Sequence, residues 1–88
     1  MILVRINVTL KPTVNDPQGK TILDGLRGLG FTLPSDVRAG KYLEMTLSTD
    51  DLTIAEQQTI AMCDQLLANT VIEKYEFQLS PIDYKQSE

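Results

Sequence analysis

The residues able to do chemistry are few, and their types exclude most of it. The sequence holds no histidine, no tryptophan and a single cysteine, Cys63. A Ser–His or Cys–His nucleophile pair is therefore impossible, and a zinc site built from His and Cys is excluded by counting. No Gly-rich phosphate loop of the dinucleotide or Walker type is present. Cys63 falls on the apolar stripe of a helical segment, where a free thiol ordinarily serves as a small core residue. Asp50 and Asp51 form a carboxylate pair of the kind that binds metal or shares a proton. They stand directly before a second helical segment, where carboxylates favour the positive end of the helix dipole, so capping is their expected role.

The most unusual run is Asp16-Pro17-Gln18-Gly19-Lys20. Asp16 is an N-cap carboxylate, and Pro17 fits the first helical position, where its missing N–H costs nothing. Gly19 in the same first turn costs about 0.5–1 kcal/mol relative to alanine, which implies that something needs the space. Helix N-termini also attract anions, and Lys11, Lys20, Arg38 and Lys41 supply a positive rim. Solvated surface charge around a plain helix start is the ordinary reading of the same residues.

The elements that must position these groups follow from periodicity. Val4, Ile6, Val8 and Leu10 alternate with Arg5, Asn7 and Thr9, which predicts a half-buried strand ended by Lys11-Pro12. Ile22, Leu23, Leu26 and Leu29 predict a helix over Pro17 to Leu29. Gly30 takes the left-handed C-terminal position and Phe31 folds back on Leu26. Val37 to Leu47 reads as extended, with Leu43, Met45 and Leu47 inward. A long strand bent at a Gly40 bulge is favoured over a hairpin at Ala39-Gly40, because alanine tolerates a primed turn poorly. Thr53 and Glu56 predict a capping box for a second helix whose stripe is Ala55, Thr59, Met62, Cys63 and Leu66, with Asn69 at its end. Val71 to Leu79 predicts the last strand, with Tyr75, Phe77 and Leu79 inward.

The order strand, helix, long or split strand, helix, strand predicts an α+β fold: a small antiparallel sheet with two helices on one face, ferredoxin-like. With 88 residues this is one domain, spanning 1–80, followed by a polar tail, 81–88, expected to be mobile. A chain this short gains stability by association with another chain, so oligomerisation is favoured. Eight Lys plus Arg against twelve Asp plus Glu, dispersed along the chain, argue against a nucleic-acid partner. No stretch approaches the ~20 apolar residues of a membrane span, and the N-terminus meets Arg5 too early for a signal peptide. The lone cysteine fits a reducing compartment, and the cytoplasm is the expected location.

The segments Thr9-Leu10-Lys11-Pro12, Asp16-Pro17-Gln18-Gly19-Lys20, Val37-Arg38-Ala39-Gly40-Lys41-Tyr42 and Cys63-Asp64-Gln65-Leu66-Leu67-Ala68-Asn69, followed by Val71-Ile72-Glu73 and Tyr75-Glu76-Phe77, closely resemble the PurS family. The likeness runs in order from about Val4 to Leu79. Thr13, Ala39 and Thr70 depart from the family pattern at loops or bends. The resemblance implies a non-catalytic subunit of phosphoribosylformylglycinamidine synthase, in de novo purine biosynthesis. Such a subunit bridges a glutaminase, PurQ, and an ATP-dependent synthetase, PurL, for ammonia transfer. It implies a homodimer or tetramer, no cofactor bound by this chain, and ATP and Mg used by the complex. Lys11, Pro12, Asp16, Gln18, Gly19, Lys20, Arg38, Gly40 and Lys41 are the positions expected at or near subunit contacts. The alternative is a free-standing dimeric small-molecule sensor of the ACT type; an acylphosphatase-like enzyme lacks its phosphate loop here.

Overall fold

A computed structural model describes residues 1–82. Strand β1 (Ile2–Leu10), helix α1 (Pro17–Gly28), strand β2 (Gly40–Leu47), helix α2 (Leu52–Met62), a π-helical turn (Cys63–Leu67) and strand β3 (Glu73–Pro81) follow in order. They form a three-stranded antiparallel sheet with β1 in the centre, β2-β1-β3. The alternation of β1 sends Ile2, Val4, Ile6 and Val8 into the core, all fully buried. Val4 and Ile6 face Met45 and Leu43 on β2 and Leu79 and Phe77 on β3, so one apolar face runs across all three strands. The opposite face carries Arg5, Tyr42 and Glu44, with the Tyr42 hydroxyl donating to Glu44 Oε2 at 2.8 Å.

α1 follows its sequence signals closely. Asp16 caps it, Pro17 opens it, and Leu29 closes it. Gly30 takes φ 98°, and the N–H groups of Gly30 and Phe31 donate to the carbonyls of Arg27 and Leu26, a Schellman ending.

Several expectations are corrected. The segment from Val37 is neither one long bent strand nor a hairpin: β2 begins at Gly40, because the Ala39 N–H is taken by the Asp16 carboxylate instead of a strand neighbour. The second helix is capped by Asp51, whose Oδ1 accepts from the N–H groups of Thr53 and Ile54, so the Thr53–Glu56 box does not form. Asp50 faces the amino group of Met1 instead. Ala55, Thr59 and Cys63 are buried as the stripe predicts, but Leu66 is 83% exposed. The π turn holds about one extra residue, and its wider pitch rotates the next inward position to Leu67 and Ala68, whose N–H donates to Cys63 O. Asn69 is not the helix cap; its Oδ1 accepts from the Val71 N–H in the turn that follows.

β1 starts at Ile2 rather than Val4. β3 runs from Glu73 to Pro81 rather than from Val71 to Leu79, so Val71 and Ile72 belong to the turn before it. Pro81, read as tail, closes β3 opposite Ile2, and the Ile82 N–H donates to Met1 O. The remainder of the expected tail, 83–88, lies outside the described residues. Within one chain the apolar sheet face is covered by α2, which packs on β1 and β3, whereas α1 is not packed against the sheet.

Candidate functional site

The unusual run Asp16–Lys20 forms one half of a joint that fastens the root of α1 to the approach to β2. Asp16 is buried, and each of its oxygens has a backbone donor: Oδ1 accepts from the Gly19 N–H at 2.9 Å and Oδ2 from the Ala39 N–H at 2.8 Å. One carboxylate thus caps the helix and ties it to a segment 23 residues away. Gly19 lets the two backbones meet. A Cβ at this position would stand 2.1 Å from the Val37 carbonyl oxygen. The cost of glycine in a first turn is explained by this close approach.

Arg38 closes the joint from the other side. One guanidinium nitrogen donates to the carbonyls of Lys11 and Val14, both at 2.9 Å, so the loop between β1 and α1 is held by a side chain from the far strand approach. Lys11 is also anchored to the chain before β3, its N–H donating to Ile72 O at 2.8 Å. Gly40 makes a second close approach, a Cβ there meeting Val8 O at 2.3 Å where β2 begins beside β1. The Lys41 ammonium donates to Leu67 O, at the end of the π turn.

Of the nine residues expected at subunit contacts, Lys11, Asp16, Gly19 and Arg38 meet in this joint, and Gly40 and Lys41 adjoin it. Gln18 and Lys20 are exposed on the first turn of α1. Pro12 lies on the wall of a cleft of about 310 Å³, together with Thr9, Leu10, Asp36, Arg38 and Lys74. Sequence reasoning passed over Asp36, Lys74, Val14, Val37 and Ala39. The last three act through backbone atoms, which leave no mark on residue type; Gly19 was the available signal, and it marked only one side of the contact.

The joint is electrostatically one-sided. The Ala39 N–H, then the Gly19 N–H, with Arg38 adding to them, hold the Asp16 carboxyl below its ordinary 3.8. A carboxylate with a depressed folded-state pKa contributes stability that is complete above the unfolded value and is lost as pH falls through the folded one. Asp16→Asn keeps the shape but sets an NH2 group against one of two N–H donors. The variant should be less stable than the parent near pH 7, and the gap should narrow below about pH 4. Urea unfolding of both proteins at about pH 7 and about pH 2.5 checks this; a gap that is constant across that range would remove Asp16 from the joint.

Cys63 is fully buried where α2 passes into the π turn, and burial pushes its thiol above the ordinary value, with Asp64 adding to the effect. A nucleophile needs the opposite shift. Its reaction with a water-soluble maleimide should therefore be slow in native buffer and fast in denaturant. Rapid labelling of the native chain would contradict the buried placement. Tyr75, whose hydroxyl donates to Asp64 Oδ1 at 3.0 Å, closes this end of α2 over β3. The joint is built from hydrogen bonds between side chains and backbone. It fixes the direction in which α1 leaves the sheet.

Comparison with known proteins supplies the context. The family model described as "PurS: Phosphoribosylformylglycinamidine (FGAM) synthase" matches residues 3–81. The PurS subunit of phosphoribosylformylglycinamidine synthase from Synechocystis sp. is 52% identical over 79 residues, covering 90% of this chain and 79% of that protein. Among solved structures, Methanocaldococcus jannaschii PurS, described as one of the subunits of formylglycinamide ribonucleotide amidotransferase, superposes with a TM-score of 0.84 at 30% identity, covering 94% of this chain and all of the other. A chain of PurLQS from Thermotoga maritima superposes with a TM-score of 0.80 at 26% identity, covering 91% of this chain and 99% of the other.

Proposed function

The chain belongs to the PurS family and is a subunit of phosphoribosylformylglycinamidine synthase in purine biosynthesis, and from that premise we propose that it joins the glutaminase PurQ to the synthetase PurL so that ammonia passes between them. The observation that supports this reading most is the likeness, over nearly the whole chain, to a chain of the Thermotoga maritima PurLQS assembly. The residues agree with it: the one thiol is buried and above its ordinary pKa, and the clustered polar groups are spent on the chain's own backbone. The chain acts as a homodimer in the cytoplasm, with the tetramer as the larger form of the same assembly. ATP and magnesium are used by the synthetase partner, not by this chain. The exposed part of the joint, Pro12, Gln18 and Lys20 with the Asp36–Lys74 cleft, is the surface offered to those partners.

The test compares glutamine-dependent with ammonia-dependent synthesis of formylglycinamidine ribonucleotide by matching PurL and PurQ, with and without the chain. Glutamine should support turnover only when the chain is present, while added ammonia works without it. If the chain changes neither activity, the bridging role is wrong.

A further inference from the structure

The cleft beside the joint gathers charges that the fold itself does not use. Its walls are Thr9, Leu10, Pro12, Asp36, Arg38 and Lys74, around a volume of about 310 Å³, the small end of the range for small-molecule sites. Other polar side chains at this end of the molecule are spent internally. Both oxygens of Asp16 accept from backbone N–H groups, Lys41 donates to Leu67 O, Glu73 Oε1 accepts from the Asn69 N–H, and Asp64 Oδ1 accepts from the Tyr75 hydroxyl. Asp36 and Lys74, by contrast, form no ion pair among the described residues, although they share the cleft with each other and with Arg38. Arg38 is held through Nη2 alone, so its other guanidinium N–H groups have no partner among the described residues.

The fold sets these groups around one space. Thr9 stands between Gly40 and Lys74 in the sheet register, which puts Lys74 on the face where the Thr9 side chain lies. Gly40 brings no side chain to that face; a Cβ there would crowd Thr9 Cγ2 at 2.8 Å. The carbonyls of Lys11 and Val14, each at 2.9 Å, fix the guanidinium of Arg38. Leu10 and Pro12 add an apolar wall.

The signs of the charges select the ligand. A phosphate dianion finds two cations here but also meets the Asp36 carboxylate, and a simple amine meets two cations for one carboxylate. A carboxylate and an ammonium carried on one carbon satisfy both signs through charge-assisted hydrogen bonds. An uncharged side chain on that carbon then rests against Leu10 and Pro12. We propose that this cleft binds a free α-amino acid with an uncharged side chain, its carboxylate held by Arg38 and Lys74 and its ammonium by Asp36.

The test titrates the full chain with L-glutamine and with L-leucine, each beside its analogue lacking the α-amino group, and with inorganic phosphate, following backbone amide resonances by NMR. Both amino acids should shift the amides of Thr9, Leu10, Asp36, Arg38 and Lys74, with dissociation constants of about 1 mM or below. Lys74→Ala and Asp36→Asn, both at exposed positions, should each weaken amino-acid binding at least ~10-fold without unfolding the chain. Asp36→Asn should leave the des-amino analogues bound no more weakly than they are by the parent. Absence of shifts with both amino acids at about ten times that concentration, phosphate or the des-amino analogues binding as tightly as the amino acids, or binding indifferent to both substitutions would overturn the proposal. The measurement uses this chain without PurL or PurQ, so its failure leaves the bridging reading standing, and failure of the bridging assay leaves the titration standing.

Discussion

Gly19→Ala should lower the free energy of unfolding by about 1–3 kcal/mol, the ordinary cost of forcing an extra methyl into a closed contact, whereas Gly25→Ala in the same helix should raise it by about 0.5–1 kcal/mol. Both substitutions improve helix propensity equally. They differ in what the new methyl meets: the Val37 carbonyl oxygen at 2.1 Å for Gly19, and nothing within 4 Å for Gly25. The obstacle at Gly19 is backbone, so no side chain can swing away. Relief requires α1 and residues 37–39 to part, which also stretches the Asp16 bond to the Ala39 N–H. The propensity gain is smaller than that overlap, and the overlap decides the sign. Denaturant midpoints of the two variants against the parent check it. Equal stabilisation at both positions would show that the root of α1 is loose, and the joint would lose its role in holding α1.

What the sequence disclosed depends on how each feature is encoded. The caps and ends of α1 are written in side chains with narrow backbone preferences, Asp16, Pro17 and Gly30, and the structure follows them. The alternation of β1 likewise names its buried face residue by residue. The π turn at Cys63–Leu67 is not encoded that way. The stripe Ala55, Thr59, Cys63 extrapolates to Leu66 under regular helical pitch, and only tertiary packing decides that Leu67 and Ala68 turn inward instead. The start of β2 failed for a related reason. Alternation from Val37 onward is compatible with a longer strand, but the Ala39 N–H belongs to a carboxylate 23 residues earlier, a pairing that no local pattern reports. At the joint, the sequence marked Asp16, Gly19 and Arg38 as unusual without stating that they bind one another. The placement of α1 was the least legible feature: an amphipathic stripe says that a helix has an apolar face, not what that face meets.

That last ambiguity gives the core a measurable property. Ile6 is fully buried at the centre of β1, between Leu43 and Phe77, and Ile6→Ala should cost about 2–5 kcal/mol through lost transfer energy and the cavity left behind. A domain of this size has a total stability of only about 5 kcal/mol from its own core. The variant should therefore be largely unfolded as a single chain and recover structure as the proposed homodimer forms. Its melting temperature should rise with protein concentration more steeply than the parent's, because association stabilises only the folded form. Leu33→Ala is the contrasting case: at 94% exposure it removes no core contact, so it should leave the single chain's stability nearly unchanged. Thermal melts of both variants over about a hundred-fold range of concentration distinguish the two effects. If the Ile6→Ala melting temperature were independent of concentration, the core of this sheet would be complete within one chain, and the proposed homodimer would not contribute to its stability.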